Sequence, residues 1–453
     1  MIVRNARILT FDGANRVLEN ADVEYGDDGA ISRVGTGSGV RGPASGPLTP
    51  DPGSRAPDPV IDAGGRLLMP ALINCHTHLY STFARGISLP GKPPKNFPEI
   101  LKKLWWRLDR ALNPEDVYWS ALVGLVYSAK NGVGTLVDHH SSPHACAGSL
   151  DQIERAFREV GLRGALCYET SDRDGPSAAL AGLKENVRFI ERTKRQNDGM
   201  IAAAFGLHAS FTLSDRTLAR AVEADRSLGA GFHIHVAEDR SDLEHARRRH
   251  GKTVVRRLAD LGVMTDRTLA AHCIHVTARD IAALARLGSN VVHNPQSNSN
   301  NAVGIARLQE LLAAGVLVGL GSDGYSPRMW EEFKAAFLLQ KLRSGDPRVG
   351  YAEAYAAALL NNRTIARKLW GMEIGRIEPG ARADLILVDY YPPTPIHADN
   401  LFGHLLFGIA SAPIDLLVVN GRTVLKDKRC VTVDERAVAE RAAKQAKALW
   451  ERF

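Results

Sequence analysis

The chain has few cysteines, no long apolar run and no concentrated block of one charge, and each shortage removes a class of protein. Its five cysteines, Cys75, Cys146, Cys167, Cys273 and Cys430, form no CxxC pair and leave one odd thiol. A disulfide framework is excluded, and a reduced, cytoplasmic setting is expected. No apolar stretch reaches membrane-spanning length, and the opening Met1-Ile-Val-Arg-Asn-Ala-Arg alternates like a strand without a signal-peptide core. A soluble protein with no membrane partner follows. The net charge of +7 could suggest nucleic acid, but the basic residues are dispersed. The densest cluster, Arg247-Arg248-Arg249, sits in a helix-like stretch and reads as a solvated face, so no nucleic-acid partner is expected.

What is present is apolar bulk in a regular order. The 453 residues, 45% apolar, suffice for one large α/β barrel with an accessory domain, or for two to three ordinary domains. Residues 1–34 alternate in the β manner, and 35–59 turn to Gly, Pro, Ser and Arg, the composition of a flexible insertion. Val60 to Leu68 resumes the sheet. From there eight strands alternate with helix-period segments: Leu72 to His76, Thr135 to Asp138, Arg163 to Tyr168, Ile201 to His208, Phe232 to Val236, Thr268 to Cys273, Asn290 to His293 and Val316 to Gly321. Eight β-then-α repeats over about 250 residues are what a (β/α)8 barrel requires. A doubly wound sheet is the other possibility, but no Gly-rich phosphate loop follows the first strand.

Barrel enzymes carry their chemistry at the C-terminal ends of the strands. There stand His76 and His78 (strand one), His208 (four), His233 and His235 with Glu238 beyond (five), His272 (six), His293 (seven) and Asp323 (eight). Histidine supplies only 15 residues of the chain, so its repeated arrival at strand ends points to a metal site. Imidazole with carboxylate suits zinc or iron better than magnesium or calcium, and zinc is favoured.

These residues resemble the amidohydrolase superfamily, in its cytosine and guanine deaminase-like branch that also holds triazine chlorohydrolases. The resemblance rests on Pro70-Ala-Leu-Ile-Asn-Cys-His-Thr-His78, His233-Ile-His-Val-Ala-Glu238, Ala271-His272, Val292-His-Asn-Pro-Gln-Ser-Asn298 and Leu320-Gly-Ser-Asp-Gly324. Leu104 to Leu112, Asp138-His-His-Ser-Ser-Pro143 and Pro393-Thr-Pro395 look closest to aminohydrolases of the SsnA type. Ala71 departs from the glycine usual after the motif's proline.

The resemblance implies a (β/α)8 TIM barrel over 69–374 and a small β-sandwich domain formed by segments 1–68 and 375–453, the latter with a C-terminal helix. It implies His76, His78, His235 and Asp323 as ligands of one divalent ion per chain, zinc first and iron second. Strand four has no lysine for a metal-bridging carbamate, which favours a single ion. Glu238, His272 and Asp323 become the catalytic groups, with Glu238 as proton shuttle. Arg85, Trp105, His208 and His293 are candidate substrate contacts, each weighed against a packing or salt-bridge role. His233, His139 and His140 are read as structural. The implied activity is a deaminase in which metal-bound hydroxide attacks an amidine-like carbon of a purine, pyrimidine, pterin or triazine ring and ammonia leaves. The alternative is a cyclic-amide hydrolase or chlorohydrolase on the same scaffold. A homodimer is the expected assembly.

Overall fold

A computed structural model describes residues 1–36 and 60–453. The predicted insertion lies outside the described residues, except that Gly35 and Thr36 complete the strand Ile31–Thr36 instead of starting a loop.

All eight barrel strands stand where the alternation puts them. Strands one to three are Leu72–Thr77, Val133–His140 and Arg163–Tyr168. Strand four is split at Ala204 into Ile201–Ala203 and Phe205–Ala209. Strands five to eight are Phe232–Val236, Leu269–His272, Asn290–His293 and Val318–Leu320. Every ladder is parallel. Bridges between Thr170 and Leu207 and between Thr77 and Asp323 join the two arcs. Closure is tight at the second seam, where the amides of Ser322 and Asp323 both donate to the His76 carbonyl at 2.9 Å. The seam therefore brings Asp323 up against the strand that bears His76 and His78.

The helices between strands begin where local chemistry allows. Asn113 and Asp116 cap one another's amides (2.9 and 2.8 Å) ahead of Pro114, so the helix Pro114–Lys130 has its first-turn donors satisfied before it packs. Thr277 and Asp280 do the same for Ala278–Leu287.

The terminal segments build one nine-stranded sheet, with Leu385–Val388 pairing antiparallel to Leu67–Pro70. Alternation along a strand splits its side chains between two cores. Leu385 and Leu387 join Val3, Ile8, Val23 and Val418 in the sheet's own core, whereas Ile386 and Val388 enter the large core shared with the barrel. Val23 and Val418, on strands with three others between them in the sheet order, share one cluster, so the sheet curls about its own interior.

Arg163 of strand three reaches Asp384 with two bonds of 3.1 Å, both side chains at most 1% exposed. Removing one partner strands a buried charge, which typically costs about 3–5 kcal/mol. Asp384→Ala should therefore lower the unfolding midpoint by several degrees; an unchanged midpoint would show that water reaches Arg163.

Candidate active site

Side chains two apart on a strand share a face, which sends His76 with His78, and His233 with His235, into the barrel. Four imidazoles then converge with one carboxylate. His78 donates its Nδ1 hydrogen to the His139 carbonyl (2.5 Å) and His235 donates its own to the His208 carbonyl (2.8 Å). His272 points Nδ1 at Asn298 Oδ1 (2.8 Å), and His76 points Nδ1 at His233 Nε2 (2.8 Å). A carbonyl only accepts, so His78 and His235 each carry a proton on Nδ1, which leaves Nε2 as the atom each ring would offer an ion. Those two Nε2 atoms face each other at 3.2 Å. Asp323 Oδ1 lies 3.1 Å from His78 Nε2 and 3.5 Å from His76 Nε2. Nε2 of His76 and of His272 is buried with no hydrogen-bond partner.

This arrangement fits a cation. Donors about 2.0–2.2 Å from a shared tetrahedral ion stand roughly 3.3–3.6 Å apart, close to the separations seen. Burial holds the imidazoles of His76 and His235 below their ordinary range and therefore neutral. Burial works against ionisation of Asp323 too, but the His76 and His78 rings close against it outweigh that and hold the carboxyl well below the usual range. Ser297 Oγ donates to its other oxygen at 2.5 Å.

Among the described residues three groups of donor atoms lie close enough to hold an ion: His76, His235, His272 and Asp323; beside it His78, His139, Glu169 and His235; and behind these His139, Cys167 and His233. The second borrows His235 from the first. Moreover, both ring nitrogens of His139 already face oxygen acceptors, Nδ1 the Glu169 carboxylate (3.2 Å) and Nε2 the carbonyls of Leu207 and His233 (3.1 Å each). The first group, extended by His78, is the better cation site.

Glu238 stands beyond strand five, its Oε2 3.5 Å from His272 Nε2. Burial, followed by the charge of Asp323, pushes its carboxyl well above the usual range, while a hydrogen bond with Asn301 opposes this. The turn that delivers it is strained: Ala237 has φ 48°, and its amide is held by Asp242 Oδ2 at 2.9 Å. His272 and Asp323 also sit at positive φ, 73° and 55°. Non-glycine residues in that region cost about 1–3 kcal/mol each and concentrate where geometry is functional.

Above these groups opens a pocket of about 790 Å³, open space at its mouth included, walled by Tyr80, Phe97, Trp105, Trp106 and Phe211. Trp105 and Trp106 face it from the junction of a π-helical turn, Leu101–Trp105, with the helix Trp106–Ala111. His208 lines the pocket, with Nε2 3.5 Å from Glu169 Oε1. Two expected contacts lie elsewhere. The 3₁₀ turn Leu79–Ala84 carries Arg85 into a neighbouring groove, where its guanidinium sits 4.9 Å from the Tyr127 ring centre. His293 is buried behind His272 and receives a hydrogen bond from Asn298 Nδ2 (3.3 Å). The reading of strand ends passed over Glu169, which directly follows strand three and was detectable by the same rule.

Comparison with known proteins agrees with this geometry. The amidohydrolase family model matches residues 67–424. A 5-methylthioadenosine/S-adenosylhomocysteine deaminase of Desulforudis audaxviator is 35% identical over 417 residues, covering 90% of this chain and 92% of that one. A 5'-deoxyadenosine deaminase of Methanosarcina mazei is 32% identical over 454 residues, covering 99% and 98%. Among solved structures, an adenosine deaminase of Xanthomonas campestris with bound zinc superposes with a TM-score of 0.84 at 23% identity, covering 100% of this chain and 98% of that one. An atrazine chlorohydrolase of Arthrobacter aurescens gives 0.78 at 21%, covering 99% of each. With the family model spanning the barrel and its flanking strands, and relatives above 30% identity along nearly the whole length, the chain belongs to the amidohydrolase family.

Proposed function

We propose that the chain is a metal-dependent aminohydrolase that replaces the exocyclic amine of an adenosine-type purine nucleoside with oxygen from water and releases ammonia. The observation that carries this reading is Glu238 set 3.5 Å from His272 beside a converging cluster of imidazoles and Asp323, at the base of an aromatic pocket. The names of the relatives, deaminases of 5-methylthioadenosine, S-adenosylhomocysteine and 5'-deoxyadenosine, support the adenosine-type ring.

His76, His78, His235 and Asp323 would hold one divalent ion, zinc by donor type with iron second, and such an ion lowers the pKa of a water toward neutrality. The protein groups divide the remaining work. Asp323 takes the proton that the attacking water gives up, and His272, fixed through Asn298, orients that water. Glu238, whose carboxyl burial biases toward the protonated form, gives its proton to the ring nitrogen beside the attacked carbon, takes the proton of the hydroxyl newly formed on that carbon and passes it to the departing amine; the proton held by Asp323 then restores Glu238. Trp105 and Trp106 offer flat faces to the purine, and His208 a polar edge.

Elemental analysis should find about one tightly held ion per chain. Two ions, after removal of loosely bound metal, would mean that a second donor group built around His139 also binds, and would overturn the ligand assignment. Product analysis tests the reaction class. Ammonia without ring opening supports the proposal, whereas a new carboxylate from a cyclic amide, or halide from a chlorinated ring, would transfer it to the alternative chemistry.

A further inference from the structure

We infer that His233 and Cys167 form a buried relay of hydrogen bonds that sets which nitrogen of His76 faces the metal, making His233 a positioning residue for the site. His76 Nδ1 lies 2.8 Å from His233 Nε2. On the far side of that ring, His233 Nδ1 lies 3.7 Å from Cys167 Sγ, and Cys167 Sγ lies 3.6 Å from the Asp138 carbonyl. His76 and His233 are fully buried and Cys167 is 1% exposed, so bulk solvent does not reach these atoms.

Hydrogen-bond balance fixes the direction of the chain when His76 serves a cation. If Nε2 gives its lone pair to the ion, a neutral His76 must carry its proton on Nδ1. His233 Nε2 then accepts, His233 carries its own proton on Nδ1, and Cys167 sulfur is the atom that faces it. The thiol hydrogen is left for the Asp138 carbonyl, which only accepts. Each polar atom has one role, and the chain ends on backbone. With an apolar side chain at 233, His76 Nδ1–H would be buried without an acceptor, a cost of about 1–3 kcal/mol for an ordinary buried group. His76 could escape that cost by rotating or by moving its proton to Nε2, and either escape weakens metal binding.

This inference rests on His76 as a metal ligand, but not on the substrate. The test is competition for zinc against a chelator on the purified holoenzyme, alongside the unfolding midpoint of each metal-free chain. His233→Leu, of similar bulk but without an acceptor, should bind zinc about 10–100-fold more weakly, the usual effect of losing a partner of a ligating histidine. His233→Gln places an acceptor near the position of Nε2 and should stay within a few-fold of the parent. Cys167→Ser should match the parent, whereas Cys167→Ala should weaken zinc several-fold. If His233→Leu holds zinc as tightly as the parent, or if the Leu and Gln variants lose it equally, the relay is wrong. Should His233→Leu not fold, equal zinc affinity in Cys167→Ser and Cys167→Ala would overturn it. Failure of the proposed deamination would appear differently, as normal zinc binding and a normal order of variants without ammonia release.

Discussion

Replacing Glu238 with glutamine should leave metal content and fold unchanged while turnover falls by about 10²–10⁴-fold, near or beyond the upper end of that range. Glu238 is 8% exposed, and its carboxyl approaches His272 without belonging to any of the three donor groups that could hold an ion. Glutamine matches its shape and can still hydrogen-bond Asn301, so the strained turn at Ala237 has no reason to rearrange. What glutamine lacks is a proton that can be given and regained, and the proposed reaction uses that proton twice. Metal analysis and steady-state kinetics on one preparation decide the matter. Loss of the ion would make Glu238 a ligand, and retention of most activity would remove it from proton transfer.

His235→Ala should lose metal and rate together. The His235 ring is anchored at Nδ1 by the His208 carbonyl and presents Nε2 3.2 Å from that of His78, so truncation deletes one converging donor together with its anchoring bond. Outer partners of a ligating histidine are worth about 10–100-fold in metal affinity, so removing a ligand should cost more than about 100-fold. Excess zinc should restore part of the occupancy but little of the rate. If the alanine variant holds one ion as tightly as the parent, His235 is no ligand and the centre lies elsewhere in the cluster.

Much of this was legible from residue order because barrels obey period rules. The eight strands and the arrival of His76, His78, His235, His272 and Asp323 at their ends follow from local patterns that packing reinforces. The residues read poorly were those whose role depends on a loop path or on partners distant in sequence. Arg85 looked available for substrate because it follows the metal-type motif closely, yet a six-residue 3₁₀ turn carries it to Tyr127. His293 sits at a strand end as expected, but Asn298, on the helix Pro295–Asn300, lies between it and His272 and gives it a supporting place. The left-handed backbone of Ala237, His272 and Asp323 is imposed by tertiary contacts, and no propensity announces it. His233 was read as a wall residue since only the folded barrel shows His76 on one side of its ring and Cys167 on the other.

The central claim is that this chain removes an amine from a purine nucleoside with the help of a bound metal, and its most direct test is ammonia release by the purified, zinc-loaded protein given 5'-deoxyadenosine. One ammonia should appear for each 6-oxopurine nucleoside formed, stripping the metal should stop the reaction, and zinc should restore it. The account is contradicted if folded protein carrying its full metal complement releases no ammonia from adenosine-type nucleosides.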